Sequence, residues 1–560
     1  MHRLIPLLVL LSSCAAQQTP HLVSAPTVTG HAVVASVSAD ASKVGAQVMF
    51  EGGNAVDAAV ATAFALAVTY PEAGNIGGGG FMLIHFPDAR EPVVIDYRET
   101  APAGVDAKTF VHKADRTPLR LAGVPGTVRG LALAHAKYGS RPWKDLIAPA
   151  IALAQDGFVL SAQRANSLNK VLATQGGNVS FQKAFAKRDK SPWRAGDELV
   201  QQDLADTLRL IADSGPDAFY TGAIADQIVA EMQRGKGLMS KADLAGYRAV
   251  ERAAIHGTFR GYDVYAPPPP SSGGVALVEM LNILEYFPLG RDARFAPRTI
   301  HLMTEAMRRA YADRALYLGD PDHTTLPEQL ISKEYAGKLA SHLSTSKATP
   351  SAELAPRLDL RTEPQDTTHF SVVDAHGMAV ANTYTIEELF GGKVVVAGAG
   401  FLLNNELGDF NPQPGVTTTT GQIGTAPNVA GPGRRPLSSM CPTIVAQGGQ
   451  PVLITGSPGG RTIINTVLCV VLNRIEFVMP AQACVDAPRQ HHAWFPDRLQ
   501  LEGLPPRSSD EIIGALRAMG HTVEPAFKVQ GDAHSIFYDA QNQTWTGVAD
   551  PRHGGGAAGF

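Results

Sequence analysis

Apolar positions change their spacing near residue 367 of the chain. Before that point the pattern opens with a strand-like run, AVVASV from Ala32 to Val37, and continues into a helix in DASKVGAQVMFEGG. An Ala-rich apolar helix follows from about Asn54 to Tyr70 and stops at Pro71; its modest length and the internal Asp57 predict a buried core helix, not a membrane span. NIGGGGFMLIHF (75–86) and PVVIDYRET read as an antiparallel strand pair. Helical periodicity dominates 124–233, and YAPPPPSSGG is a stiff polyproline turn into the helix VALVEMLNILEYF. HLMTEAMRRAYADRALYLGD is a further amphipathic helix. From 344 to 366 the chain turns polar and Pro-containing with no period, the mark of an exposed linker. Beyond it short strands dominate, HFSVVD, MAVANTYT, TIVAQ, PVLITGS, SIFYD and TWTGVAD, with helices in RTIINTVLCVVLNRI and DEIIGALRAMG. Helix-rich material before the linker and strand-rich material after it predict an α/β (α+β) chain whose two portions interleave in shared, layered sheets.

Composition narrows what such a chain does. At 560 residues and 44% hydrophobic content it is globular and too long for one simple domain. A net charge of −4 with no Lys/Arg block argues against nucleic acid and for a small-molecule substrate. The start, MHRLIPLLVLLSSCAAQ, has His2 and Arg3 before an apolar stretch from Leu4 to Leu11 and then small residues, the pattern of an export signal. Leu11-Ser12-Ser13-Cys14 resembles a bacterial lipobox, in which Cys14 is lipidated and becomes the mature N-terminus; ordinary cleavage after Ala15 or Ala16 is the other reading. The expected location is the periplasm, free or anchored to the outer membrane. The organisation is therefore read as 1–14 export signal, 15–30 linker, 31–366 helix-rich portion and 367–560 strand-rich portion. Cys441, Cys469 and Cys484 have no CxxC partner or metal-ligand spacing and are read as small buried apolar residues, with a Cys469–Cys484 bridge left open. Gly77 to Gly80 lead into a strand with no Gly-Lys-Ser/Thr behind them, so they point to close backbone packing and not to a phosphate cradle.

The junction QDTTHFSVVDAHGMAVANTYT carries the chemistry. A threonine hydroxyl is a poor nucleophile without a base, and one solution uses the α-amine of the same residue once it stands at a chain N-terminus. That amine titrates near 7.7–8.0 in unperturbed form, close to the working range. An internal threonine acquires it only by backbone cleavage, and an exposed linker ending in Asp366-Thr367 at a strand start suits such a cut. On pattern alone Thr-Thr before a strand is ordinary β-propensity. The wider set of motifs decides otherwise. TTHFSVVD…GMAVANTYT, GFLLNNELGDF, RRPLSSMCPTIV and LITGSPGGRTI, preceded by GGNAVDAAVA, IGGGGFML, DYRETAP, GVPGTVRG, PPPSSGG and ADRALYLGD, resemble in order and spacing the γ-glutamyltranspeptidases, members of the N-terminal-nucleophile hydrolases.

The resemblance, which spans nearly the whole chain after the signal, implies a four-layer αββα sandwich and a proenzyme that cuts itself between Asp366 and Thr367. It implies a large chain ending at Asp366 and a small one of about 190 residues beginning at Thr367, joined as a heterodimer around one core. Thr367 would be the self-cleaving residue and then the nucleophile, with Thr385 orienting it. The substrate implied is a γ-glutamyl amide such as glutathione. Arg98 in DYRET matches the arginine that grips its α-carboxylate, aided by Ser438 and Ser439; Glu406 and Asp409 in NNELGD match the acceptors of its α-ammonium. Gly459 and Gly460 match the oxyanion hole. No metal or organic cofactor is implied, and His491-His492 lacks a metal-ligand context.

Two departures stand out. Many relatives carry an asparagine where this chain has Glu387, which with Glu406 and Asp409 would bring three carboxylates near one ammonium and one arginine, so that one acid is expected to be protonated or turned away and affinity and pH optimum are put in question. The segment 411–436 is long enough for a lid over the pocket but lacks the aromatic often found there. Two alternatives stay open: a glutaryl-cephalosporin-type acylase of the same fold, against which the acid at Asp409 argues, and a non-catalytic periplasmic binding lipoprotein.

Overall fold

The computed structural model describes residues 22–174, 178–354, 367–420, 422–504, 509–525 and 529–560. Cys14 and Asp366 lie outside the described residues, as does the expected signal.

Period-two alternation in the strands next to Thr367 sorts side chains onto opposite faces of one sheet. Phe370, Val372, Val380, Tyr384, Met82 and Ile84 join one apolar cluster, whereas Val373, Ala379, Ala381, Phe81 and Leu83 join another. Both faces are therefore buried, the first under helices and the second under a second sheet. Among the described residues, the first sheet has eight antiparallel strands in the order Val23–Ala25, Gly556–Gly559, Val33–Ser36, Thr368–Val373, Ala379–Thr385, Gly79–His85, Val93–Asp96 and Val250–Ala253. The second has seven, in the order Thr27–Gly30, Thr544–Val548, Ser535–Asp539, Gln450–Thr455, Thr443–Gln447, Tyr262–Ala266 and Ile255–Phe259. Helices Ala39–Phe50 and Ala55–Thr69 cover the outer face of the first sheet; Gly273–Glu285, Pro297–Tyr317 and Thr462–Ile475 cover the second. This is the four-layer αββα arrangement.

Every residue of the Ala55–Thr69 helix is buried. Small side chains let it lie close against the sheet and against Ala39–Phe50. Asp57, the one charged residue of the helix, has a reason to be there: its carboxylate accepts from Asn54 N at 3.0 Å in a capping box and from the Ser140 hydroxyl at 2.6 Å. The glycine run packs backbone on backbone, since a Cβ on Gly78 would stand 2.0 Å from the Thr385 carbonyl oxygen and one on Gly80 2.4 Å from that of Thr383.

Two expectations need correction. Residues 23–30, assigned to a linker, form the strands Val23–Ala25 and Thr27–Gly30, paired with Gly556–Gly559 and Thr544–Val548. Such short strands have no local signal, because their partners lie at the far end of the chain. The linker read from 344 is anchored within its described part: Ala348 and Ser351 are buried between exposed neighbours, with Ala348 N donating to Met519 O at 2.7 Å and Ser351 Oγ to Trp494 O at 2.6 Å. The cysteines are buried free thiols, as read from their spacing, and the Cys469–Cys484 bridge left open is not formed; Cys469 Sγ accepts from Arg294 Nη2 at 3.4 Å and Cys484 Sγ donates to Met479 O at 3.2 Å.

Candidate active site

Thr367 is buried, 6% exposed, directly before the strand Thr368–Val373 in the middle of the first sheet. The register pairs Thr368 with Tyr384, and carried one residue further it sets Thr367 opposite Thr385 at the open end of the hairpin. The Thr385 Oγ accepts from Glu387 N at 2.8 Å, so the hydroxyl proton is what this side chain has to give. Its carbonyl takes the Asn75 carboxamide N–H at 3.0 Å, and the same Asn75 accepts from Gly78 N at 2.9 Å, which ties the glycine run to the hairpin end.

Thr367, Thr385, Arg98, Glu387, Glu406, Asp409, Ser438, Ser439 and Gly460 line one pocket; Gly459 lines a larger cavity beside it. The described residues that the resemblance singled out for catalysis and substrate binding thus converge, from segments more than 350 positions apart. Each is braced. Arg98 N donates to Asp96 Oδ1 at 3.0 Å, its Nε to Pro436 O at 3.1 Å, and its carbonyl accepts from Tyr247 Oη at 2.8 Å and Arg435 Nη1 at 2.6 Å. Ser438 is held by the polyproline turn: its N donates to Pro270 O at 2.8 Å and its carbonyl accepts from Ser272 Oγ at 2.6 Å. Ser439 Oγ accepts from Arg314 Nη2 at 2.9 Å. The Asn404 carboxamide spans Gly77 O at 2.8 Å and Gly123 O at 2.9 Å and takes Glu406 N at 3.1 Å.

Electrostatics dominate the pocket. The Arg98 guanidinium pairs with Glu406 through Nη1 and with Asp409 through Nη2, and Glu99 Oε2 lies 3.7 Å from Nη1. All are buried. Burial alone would lower the Arg98 pKa, but Glu406, Asp409 and Glu99 more than offset it and raise it. On the acids, burial wins over the attraction of Arg98: Glu406 is raised well above the carboxylate range, Asp409 is raised, and Glu99 is pushed up to about 7. One cation cannot hold three buried anions, so the cluster retains a proton near neutrality. Glu406 Oε2 and Asp409 Oδ1 are buried with no hydrogen-bond partner, acceptors awaiting a donor.

Glu387 lines the pocket and is the acid that turns aside from Arg98. Its carboxylate accepts from the Asn405 carboxamide, and its backbone sits at φ 77°, a left-handed conformation that asparagine tolerates better than glutamate. The third acid at Arg98 is Glu99, which sequence reasoning missed although it is the next residue; its burial is a tertiary property. Asn404 and Arg314 were missed for the same reason.

Gly459 and Gly460 adopt φ 125° and 54°, and a Cβ on Gly459 would stand 2.4 Å from Thr462 Oγ1. Their carbonyls accept from Thr462 N at 3.0 Å and Ile463 N at 3.1 Å, opening the helix Thr462–Ile475. The glycine pair therefore lies at the positive end of a helix dipole, a setting that favours negative charge.

His491 and His492 are committed elsewhere: His491 Nδ1 accepts from Asn465 at 2.7 Å and His492 Nε2 lies 3.2 Å from Asp497 Oδ1. His301, Glu305 and His521 bring ligand-type atoms within 4.8 Å of one another, but His301 Nδ1 and His521 Nε2 bond each other at 2.8 Å and Glu305 pairs with Arg309 at 2.7 Å.

A hydroxyl residue opening a central strand of an αββα sandwich, beside a glycine pair at a helix start, defines the class of the N-terminal-nucleophile hydrolases. The γ-glutamyltranspeptidase family model matches residues 41–560, and the chain belongs to that family. It is 45% identical to the glutathione hydrolase proenzyme of Escherichia coli (strain K12) over 93% of this chain and 90% of the relative. Among solved structures, a cephalosporin acylase from Bacillus halodurans superposes with a TM-score of 0.81 at 27% identity, covering 98% of each chain. The γ-glutamyltranspeptidase of Helicobacter pylori is 40% identical, with a TM-score of 0.55 over 56% of this chain and 92% of that one.

Proposed function

We propose that the chain is a proenzyme that cuts itself between Asp366 and Thr367 and then acts as a glutathione hydrolase and γ-glutamyltransferase. In maturation the Thr367 hydroxyl attacks the Asp366 carbonyl carbon, the acyl group moves from nitrogen to oxygen, and water hydrolyses the ester. The products are the Asp366 carboxylate and the free α-amine of Thr367. In catalysis that amine takes the hydroxyl proton as oxygen attacks the γ-carbonyl of the donor. Thr385 holds the hydroxyl, and the N–H groups of Gly459 and Gly460 stabilise the oxyanion. The leaving amine departs with the proton, and water or an amino acid or peptide amine then attacks the γ-glutamyl ester and regenerates Thr367.

The observation that carries this reading is the pocket in which Thr367 shares walls with Arg98 and with the unpartnered oxygens of Glu406 and Asp409. A γ-glutamyl donor brings one ammonium and one carboxylate. Its ammonium replaces Arg98 on the two acids, and its carboxylate, with Ser438 and Ser439, takes the guanidinium thus released, so an internal ion pair is exchanged for two complementary ones. The processed large and small subunits remain one heterodimer. Export to the periplasm and a lipid anchor at Cys14 belong to the same proposal; among the described residues no helix is long and apolar enough to cross a membrane.

Denaturing electrophoresis tests the maturation step. Wild-type protein yields two fragments, the smaller starting Thr-Thr-His-Phe, and Thr367→Ala stays whole; an uncut wild-type chain points to a non-catalytic binding protein, and cleavage of the variant at the same bond removes Thr367 from its role. A second reading, glutaryl acyl transfer, is favoured by the likeness to a cephalosporin acylase. The two separate on Asp409→Ala, expected to lower turnover of γ-glutamyl donors on the order of tenfold or more beyond its effect on glutaryl donors, the loss of one charge-assisted contact. Equal loss on both refutes the ammonium assignment.

A further inference from the structure

The guanidinium that meets the donor's α-carboxylate, Arg98, already faces Glu406, Asp409 and Glu99. Even when the donor's ammonium takes over Glu406 and Asp409, Glu99 stays beside Arg98, so the carboxylate needs further donors. Ser438 and Ser439 line the same pocket, and what a hydroxyl offers a ligand depends on where its proton is held.

Both hydroxyl protons are fixed by elimination. Ser438 Oγ accepts from Met440 N at 3.1 Å, and Ser439 Oγ accepts from Arg314 Nη2 at 2.9 Å. Among the described residues neither hydroxyl has an acceptor for its own proton, so both present O–H to the pocket. Arg314 stands in the last turn of the helix Pro297–Tyr317, within the motif ADRALYLGD, and is 9% exposed. Its Nε donates to Ser272 Oγ at 2.8 Å, and Ser272 Oγ passes its own proton to Ser438 O at 2.6 Å. One fork thus grips the serine pair twice, Ser439 directly and the Ser438 carbonyl through Ser272. Burial lowers the Arg314 pKa to about 10, which leaves it a cation at neutral pH. A cation that donates to a hydroxyl oxygen strengthens that hydroxyl as a donor in turn, because hydrogen bonds in a chain polarise one another. Burying a guanidinium whose direct partners are hydroxyls is costly, and an anion bound beyond those hydroxyls offsets the cost.

We infer that Arg314 is a positioning residue for the donor's α-carboxylate: by holding Ser439 as a proton donor and pinning the serine pair through Ser272, it sets the preference of the site for donors that carry this carboxylate. The inference rests on γ-glutamyl transfer at Thr367. The carboxylate lies away from the reacting carbon and is held alike in ground and transition states, so the effect belongs to KM and not to kcat.

Two nitroanilides separate this role from a structural one: the γ-glutamyl donor and its 4-aminobutyryl counterpart, which keeps the ammonium and lacks the carboxylate. Arg314→Gln is expected to raise KM for the γ-glutamyl donor on the order of tenfold, the loss of one charge-assisted hydrogen bond, with kcat for it and kcat/KM for the 4-aminobutyryl donor within about twofold. Ser439→Ala raises the same KM by a similar factor, and the double variant stays near the single losses, because the arginine acts through that hydroxyl. Equal losses on the two donors, an unchanged KM, or a double variant whose losses multiply to about a hundredfold overturn the inference. Arg314→Lys keeps the charge without the fork and is expected to be processed, with a smaller rise in KM and unchanged kcat. If neither Arg314 variant is cut into two fragments, the residue is structural and the inference falls. A processed wild type that is inert on the γ-glutamyl donor overturns γ-glutamyl transfer instead.

Discussion

At the scale of single residues, the ionisable groups of the pocket set its pH response. Glu99 is pushed up to about 7 by burial, against the opposing pull of Arg98, and Glu406 is raised further. A substrate ammonium binds these acids only when they are ionised, so substrate binding releases a proton below that pH. KM for γ-glutamyl donors is therefore expected to fall as pH rises through about 7, while KM for glutaryl donors stays flat; steady-state kinetics across that range checks it, and parallel profiles for the two donors would count against the cluster. The folding sign is opposite. An acid whose pKa is raised in the folded state contributes stability that is present below its unfolded value and lost as pH rises through the folded one, so the ligand-free protein loses this increment between about 4.5 and 7. On the proposed mechanism the profile of kcat is expected to follow a different group, the Thr367 amine, which as base must be unprotonated.

At the scale of elements, two turns do the positioning. The polyproline turn holds Ser438 through Pro270 and Ser272, and the Gly459-Gly460 turn starts the helix Thr462–Ile475. Gly459 has two independent reasons to be glycine: φ 125° and a Cβ that would stand 2.4 Å from Thr462 Oγ1. Gly459→Ala is expected to lower kcat by about 10²–10³ with little change in KM, because the turn displaces an oxyanion donor that acts only in the transition state. Pre-steady-state release of an aniline checks it, and a rise in KM at unchanged kcat would move the glycine from the oxyanion hole to ground-state binding. Most elements were legible from spacing: the Ala-rich helix, the Thr368–Val373 hairpin and the helix after YAPPPPSSGG all appear where periodicity puts them. The strands Val23–Ala25 and Thr27–Gly30 were not, since three or four residues carry no usable period and their pairing partners are more than 500 positions away.

At the scale of the whole molecule, both sheets combine strands from before and after residue 367. Thr368–Val373 pairs with Val33–Ser36 on one side, and Gly556–Gly559 inserts between Val23–Ala25 and Val33–Ser36. A cut at the junction therefore leaves every ladder intact, and separating the pieces would bare both apolar clusters and several strand edges at once. The processed fragments are expected to co-elute in native size exclusion, also in high salt, and to part only in denaturant with cooperative loss of structure. Separation under native conditions would contradict the interleaving.

The sequence by itself determined the local elements, the change of character at residue 367 and, through motifs kept in order, which residues come together around the pocket: Thr367, Thr385, Arg98, Glu406, Asp409 and the serine pair, with Gly460 in the same wall and Gly459 in the adjoining one. Local elements are legible because their signals come from neighbours two to four positions away, and motifs because their chemistry requires particular residue types. Only the tertiary structure decided the rest: that Glu99 joins the acids on Arg98, that Glu387 turns to Asn405, and that Arg314 is a buried cation facing a second cavity. Those properties depend on burial and on charges supplied by distant segments, and desolvation is set by the surrounding protein, not by the residues adjacent in the chain.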